Sequence, residues 1–411
     1  MEKNINKDIF LLLGGNKLNY GIYKKFSNEG YKVYVVDWNE QPDIVGDKHY
    51  QIDVKDAQSI LSALEKDNEL SKVKYAYSSI DLAVPSVAAI NKAIGLNVTS
   101  EESLKNVTSK SMMVKKWNEH NLLNRLSNSY QKFDNEIILL NNKLKLIVKP
   151  DNSASSRGIT ILPKNSSILD IKIAFDKALN EASNKIVVVE EFIEGIEFTV
   201  EMIGDNYGNV KVYGISKKEH TRNISDNKVA VKLHYNSIDI SLQKKIADYA
   251  IKCYRALGLS SSLGHLEIVM KENGDFTPIE IGARSSGFIA SDLVDIVSNC
   301  NFLFEAMSVQ EGKKIESGLQ EQSKLSSMYF FYDFPVGVKI IDEVSICEFL
   351  DKSIVSIYSD RKKIKKGKII YRISNDNERI GYEILKGDKT IMTDSYIKEK
   401  EIEYISAVTE A

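Results

Sequence analysis

Residues 264–287, GHLEIVMKENGDFTPIEIGARSSG, restrict the fold more than any other stretch of this 411-residue chain. Two runs of alternating apolar residues flank Asn273-Gly274, which predicts an antiparallel hairpin closed by a two-residue type I′ turn. Strand side chains alternate between faces. Leu266, Ile268, Met270, Ile279, Ile281 and Ala283 therefore take one face, and His265, Glu267, Glu280, Gly282 and Arg284 the other. A turn at 273–274 sets Glu267 directly opposite Glu280. Counted from the hydrogen-bonded pair Glu272:Asp275, that position is non-hydrogen-bonded, where side chains come closest. Pro278 falls in such a pair too, so its missing N–H breaks no ladder bond. Two glutamates with Cβ atoms roughly 5 Å apart repel each other. A divalent cation between them reverses that sign, and carboxylate oxygens suit Mg²⁺. The plainer alternative is a solvated sheet face with two incidental acids.

The chain is long enough for two to four domains, and 43% hydrophobic and 27% charged residues are ordinary globular values. A net charge of -2 argues against a nucleic-acid-binding surface. The basic cluster DRKKIKKGK, residues 360–368, has no interleaved aromatic and reads as a solvated loop or strand edge. Cys253, Cys300 and Cys347 match no zinc or disulfide spacing and fit a reducing, cytoplasmic setting. The five histidines show no HExxH-type pairing. The apolar run IFLLL, residues 9–13, flows into Gly14-Gly15 and reads as a first strand, not as a signal peptide or membrane span.

Residues 8–100 alternate strand and helix signals, which implies a parallel sheet covered by helices. Gly14-Gly15 with Asp37 at the end of the next strand is a weak dinucleotide signal, because the chain reads GGNKLN in place of G-x-G-x-x-G. Residues 108–122 predict a helix capped by Thr108 or Ser109, with Lys110 in a first turn where a cation opposes the helix dipole. In LKLIVKPDNSASSRGITIL, residues 144–162, a strand ends at Lys149-Pro150 and a small-residue loop follows. Its backbone N–H groups, with Lys149 and Arg157 beside them, suit an anionic group such as a phosphate; an ordinary hairpin loop is the alternative. IVVVEEFIEGIEFTVEMI, residues 186–203, reads as two strands joined by an acidic linker. Beyond residue 311 the strand signals are SMYFFYDF and GKIIYRI.

In this order, the helix lysine, strand lysine, small-residue loop, acidic linker and two-glutamate hairpin ending in an arginine resemble the ATP-grasp superfamily. The matching stretches are KPDNSASSRG, VVVEEFIEGIEF and LEIVM…PIEIGAR, and EIGAR is a variant found among its amino-acid ligases. The resemblance implies an α/β and α+β chain. A Rossmann-like pre-ATP-grasp domain (1–105) precedes a small lid lobe (106–185), a large lobe with the metal site (186–310) and a β-rich C-terminal region packing on the large lobe (311–411).

It further implies that Lys110, Lys149, Ser155, Ser156, Arg157 and Gly158 hold the ATP phosphates, Glu190 and the backbone around Phe192 the adenine, and Glu197 the ribose. Glu267 and Glu280 would ligate Mg²⁺, with Mn²⁺ able to substitute, and Arg284 would stabilise the transferring phosphoryl group or the tetrahedral intermediate. The family often has Asn at the place of Gly282, and its phosphate loop is usually richer in glycine. His220 and Arg222, in a polar stretch between strands, and Ser286 and Gly287 are the candidate substrate contacts; a surface loop is the alternative for the first two.

The leading expectation is a cytoplasmic ATP- and Mg²⁺-dependent carboxylate–amine ligase. It would activate a small acid, an amino acid foremost, as an acyl phosphate, and release ADP and phosphate. Its partners would be small molecules, with no nucleic acid or membrane and a homodimer as the candidate assembly. The alternatives are a carboxyphosphate-forming carboxylase of the biotin carboxylase or purine-pathway type, and a nucleotide-binding module without turnover. A dehydrogenase using the Gly14-Gly15 turn is an outsider.

Overall fold

The computed structural model describes residues 8–152, 157–221, 229–287, 290–373 and 378–410. Strands β1 (Ile9–Leu13), β2 (Lys32–Asp37), β3 (Lys48–Gln51) and β4 (Val73–Tyr77) form a parallel sheet in the order β3-β2-β1-β4. Every residue of β1 is buried, as expected for a central parallel strand covered on both faces. Helices α2 (Ala57–Lys66) and α3 (Val84–Ala93) cover one face. Phe10, Leu12, Tyr75 and Tyr77 on the other face join α1 (Tyr20–Asn28) in a core shared with the rest of the chain.

Helices α4 (Glu101–Thr108) and α5 (Lys110–Glu119) lead to a smaller antiparallel sheet. Its strands β5 (Ser127–Tyr130), β6 (Leu146–Pro150), β7 (Thr160–Leu162) and β8 (Val187–Glu191) run in the order β5-β8-β6-β7. Helices α6 (Glu136–Asn141) and α7 (Ile168–Glu181) bury Ile137, Ile171 and Phe175 against it. The expected division at 185/186 falls just before β8, a strand that belongs to this smaller sheet.

The large antiparallel sheet begins with β9 (Ile196–Gly204), β10 (Val210–His220) and β11 (Ala230–Tyr235). After α8 (Ile240–Ala256) come β12 (Ser262–Met270) and β13 (Phe276–Gly282), then α9 (Ala290–Ser298) and α10 (Phe302–Gln310). The two-residue β14 (Gly318–Leu319) lies along β10. The same sheet continues into the C-terminal region through β15 (Leu325–Phe331). Beyond the short β16 (Lys339–Ile340) it takes in β17 (Val355–Asp360) and β18 (Tyr382–Asp388), and the chain ends with α11 (Asp394–Val408) and β19 (Thr409–Glu410), the partner of β16. Its order is β13-β12-β9-β10-β11-β15-β18-β17. The run GKIIYRI, expected as a strand, forms no strand: it is joined to residues 337–340 by four backbone hydrogen bonds around one bridge between Ile369 and Lys339. Its nearest partner strand, β16, is two residues long, and Tyr371 points into solvent at 75% exposure.

One face of the large sheet buries Leu266, Ile268 and Ile281 against α8 and Trp117 of α5. On the other, α9 and α10 pack between the large sheet and the parallel sheet through Val294, Phe302 and Leu303. Helix α11 is tied to the sheet by charge: Asp394 meets His234 Nδ1 at 2.5 Å and Lys217 Nζ at 2.7 Å, and Glu401 meets Lys232 Nζ at 2.7 Å. Burial opposes the Asp394 charge, but the bonds to His234 and Lys217 prevail and bring its carboxyl down to about 2. The free carboxyl titrates near 3.9. The pairing therefore stabilises the fold above pH ~4, and that contribution is lost as pH falls from there through about 2. Asp394→Asn should cost about 1.5–3 kcal/mol at pH 7 and flatten the loss of stability between pH 4 and 2, measured as melting temperature against pH. An unchanged acid limb would show that these bonds do not anchor the helix.

Candidate active site

Glu267 and Glu280 are directly paired across β12 and β13. The turn differs from the one expected. Lys271 N donates to Asp275 O and Gly274 N to Lys271 O, so the loop has three residues, with Gly274 in the left-handed region at φ 85°. That change alone would shift the register by one. A bulge restores it: Ile268 pairs with Pro278 and Glu267 with Glu280, leaving Ile279 as the extra residue of β13. Ile279, expected on the core face, lines the cleft instead.

Each glutamate meets a lysine from elsewhere. Lys218 of β10 places Nζ 2.8 Å from Glu267 Oε1 and 2.5 Å from Glu197 Oε1, and Lys110 Nζ lies 3.4 Å from Glu280 Oε2. Burial would raise the Glu267 carboxyl, but Lys218 and then His265 hold it well below the usual range. His265 Nδ1 sits 2.5 Å from Glu201 Oε1, and Ser286 N donates to Glu201 Oε2 at 3.3 Å. Glu197, expected at a ribose, also meets His220 Nε2 at 3.4 Å.

Arg284 is clamped from the turn that follows β4. Its Nε and Nη2 donate to the two Asp81 oxygens, each at 2.6 Å, in a bidentate pair. Asp81 follows β4 at the carboxyl end of the parallel sheet, where ligand sites of such sheets lie. A Cβ on Gly282 would stand 3.0 Å from Asp81 Oδ1 and 3.3 Å from Arg284 Cγ, so a side chain there would crowd the clamp and make it give by a few tenths of an ångström. At the other end of the parallel sheet's first turn, Asp37 accepts from Gly15 N at 2.8 Å and Asn39 N at 2.9 Å, which commits its carboxylate to closing that turn.

The opposite wall comes from the smaller sheet. Ser109 caps α5, and Asp151, past the end of β6, accepts from Ser111 N at 2.6 Å and Ser109 Oγ at 2.8 Å. Asp151 thus supplies the anion that this helix N-terminus lacks in its own sequence, and Lys110 is held beside it. Lys149, 3% exposed, is ion-paired to Glu190, 2% exposed; Arg125 Nη2 reaches Glu190 Oε1 at 3.0 Å and Ser127 Oγ donates at 3.1 Å. Burial would raise the Glu190 carboxyl, yet Arg125 and Lys149 pull it down to about 2, while burial outweighs Glu190 in lowering the Lys149 ammonium. The Phe192 N–H is spent on Lys145 O at 2.9 Å, with Lys145 Nζ 4.3 Å over the Phe192 ring. Gly158, at φ 75°, leaves no room for a Cβ, which would meet Glu181 at 2.9 Å. Ser155, Ser156 and Arg222 lie outside the described residues.

Between these walls is a cleft of ≈1420 Å³. It gathers Lys110, Lys149, Arg157, Glu267, Glu280, Arg284, Ser286 and Gly287 from the expected set. Glu190, Glu197, Phe192 and His220 are not on its wall; the first two stand directly behind it, bonded to Lys149 and Lys218. Sequence reading missed Lys218, Asp81 and Arg125 as site residues. Lys218 had a signal, since alternation in SKKEH puts it on the face of Ser216 and His220. Among the described residues no group of three or more His, Cys, Asp or Glu is disposed to hold a metal ion. Two facing carboxylates still fit Mg²⁺, which commonly takes one or two from protein and its other oxygens from phosphates and water.

A family model described as the ATP-grasp domain matches residues 142–292. The D-alanine–D-alanine ligase of Buchnera aphidicola subsp. Schizaphis graminum (strain Sg) is 23% identical over 209 residues, covering 48% of this chain and 63% of that protein. The chain thus spans less than two thirds of that relative's length. Among solved structures, phosphoribosylglycinamide synthetase from Anaerococcus prevotii is similar with a TM-score of 0.67 at 20% identity, covering 98% of this chain and 99% of its own. L-amino acid ligase from Bacillus licheniformis reaches 0.69 at 15% identity, covering 98% of each. At these identities the likeness is one of fold.

The buried charges of the smaller sheet generate a prediction. Glu190→Gln leaves Lys149 and Arg125 buried without their carboxylate and should destabilise the fold by about 3–5 kcal/mol in denaturant unfolding. A loss below ~1 kcal/mol would mean that the two cations find other partners.

Proposed function

We propose that this chain, which carries an ATP-grasp domain, is an ATP- and Mg²⁺-dependent ligase that activates a small carboxylate, foremost an amino acid, and joins it to an amine. The observation that supports this most is the cleft itself, where Lys110, Lys149 and Arg157 face a carboxylate pair and a clamped arginine. Phosphoryl transfer asks for positioning and charge neutralisation, and cations around a triphosphate answer that need. Glu267 and Glu280 would hold Mg²⁺, which when bound would offset phosphate charge.

In this reading a carboxylate oxygen of the acid attacks the γ-phosphorus and the bond to ADP breaks, giving an acyl phosphate. The amine nitrogen then attacks the acyl carbon, the C–O bond to phosphate breaks, and the amine proton leaves to solvent. Lys110 and Lys149 hold the phosphates in line. Arg284, held in one orientation by Asp81, faces the charge that moves from the phosphoryl group to the acyl oxygen. Burial would lower the Arg284 guanidinium, but Asp81 raises it, so it stays charged throughout.

Two measurements test the reading. With ¹⁸O in the acid's carboxylate, one labelled oxygen should appear in the released phosphate and ADP should be the nucleotide product. AMP with pyrophosphate, or label kept wholly in the acid-derived product, would overturn it. Bicarbonate as the sole acid should give background rates; turnover there would favour a carboxylase. Glu280→Gln should abolish Mg²⁺-dependent turnover yet change apo stability by less than ~1 kcal/mol, because its carboxylate is 41% exposed and its Lys110 contact is long. Near-normal activity in that variant would sink the metal assignment.

A further inference from the structure

Lys218 stands on β10, in the middle of the large sheet. Strands β9 and β11 pair with it on either side, through Glu197 and Leu233, so its backbone is fixed. Its ammonium nevertheless reaches Glu267, two strands away on β12, about 9–10 Å across the sheet. On the intervening β9 the short Thr199 pairs with Glu267 and bonds Ser216 Oγ at 2.6 Å. The lysine therefore lies along the sheet face, across β9, and does not stand straight out from it. Two carboxylates hold the ammonium there, Glu197 Oε1 at 2.5 Å and Glu267 Oε1 at 2.8 Å, with the side chain 12% exposed. His265 Nε2 lies 3.8 Å from that same Glu267 oxygen. Lys218 and Glu267 both line the cleft.

The second ion of a two-metal site stands about 3.5–4 Å from the first. Here it would find few oxygens. Position 282 is glycine and brings no side-chain ligand, and both Asp81 oxygens accept from Arg284. Glu267 Oε1 already accepts from the Lys218 ammonium. A Mg²⁺ at its usual distance of about 2.0–2.1 Å from that oxygen would have to displace the ammonium. Displacement would strip a nearly buried cation of one of its two carboxylates, which is costly.

We propose that Lys218 takes the place of a second divalent cation, so that the cleft binds ATP with one metal ion, held by Glu280 and the other oxygen of Glu267. This rests on the ATP- and metal-binding part of the ligase reading. The tethered ammonium supplies at Glu267 the positive charge that a second ion would bring. With that charge built into the sheet, position 282 has no second ion to ligate, and glycine there costs the site nothing.

Counting metal is the direct test. The full chain is dialysed to equilibrium against Mn²⁺ and β,γ-methylene ATP. Bound Mn²⁺ and bound nucleotide are then measured per chain, and the bound Mn²⁺ is read by electron paramagnetic resonance. One Mn²⁺ per nucleotide is expected, without the spectrum of a coupled ion pair. Lys218→Met keeps the reach of the side chain and removes its charge. It should raise the count to two and bring in the coupled spectrum, whereas Lys218→Arg should stay at one. Two Mn²⁺ per nucleotide on the unmodified chain would overturn the proposal, and that count needs no variant to fold. A single Mn²⁺ in a folded Lys218→Met chain that still binds nucleotide would also overturn it, because the ammonium would then not be what excludes the second ion. Either result leaves the ligase reading standing. Nucleotide bound equally well without Mn²⁺, or not bound at all, would sink the metal reading and the role of Lys218 with it.

Discussion

Two carboxylates facing each other on neighbouring strands repel, and the arrangement of the cleft answers that repulsion. The answer is uneven. Glu267 is held between Lys218 and His265 on the sheet itself, with 19% of its side chain exposed. Glu280 opens to the cleft, and its ion pair among the described residues is the long contact from Lys110 of α5. One acid of the pair is locked and the other is available. Because α5 is pinned at its start by Asp151 from the end of β6, the Lys110–Glu280 contact also carries the large sheet's charge problem across to the smaller one.

The smaller sheet solves a similar problem in the opposite sense. Lys149 and Arg125 are buried cations sharing one carboxylate, Glu190. Such a group costs solvation on burial, and full pairing is what makes it tolerable. With Glu190 balancing two positive charges, the wall keeps a net positive character where Arg157 and Lys110 also face. The two walls are therefore electrically complementary, one net cationic and one built around carboxylates, which suits a polyanion bridged to a metal.

Local pattern made the pairing of Glu267 with Glu280 legible, although the turn was not. Alternation fixed which residues share a face, while a type I turn ending at Gly274 and a bulge at Ile279 each moved the register by one and cancelled. Helix α5 and its Ser109 cap were readable for the same reason, since the cap is a local interaction. What was not readable depends on distance along the chain. Asp81 meets Arg284 across 203 residues, and Lys218 meets Glu267 across 49. No periodicity encodes such pairs. The strand expected at GKIIYRI failed because an apolar run needs a neighbouring strand of some length, and β16 offers two residues.

The N-terminal parallel sheet shows how a site is completed by a domain with no signature of its own. Its first turn carries Gly14 and Gly15 without the G-x-G-x-x-G spacing, and Asp37 is turned inward to Gly15 and Asn39. The sheet's contribution comes from another loop, after β4, where Asp81 reaches Arg284 with both oxygens. That contact explains a departure noted in the sequence. Where the resembling family often carries Asn, this chain has Gly282, and a Cβ there would stand 3.0 Å from Asp81 Oδ1. With glycine there, both Asp81 oxygens accept from Arg284. The orientation of Arg284 is then set by how the parallel sheet packs on α9 and α10, so the shared core of Phe10, Tyr77, Val294 and Phe302 governs the geometry of the cleft.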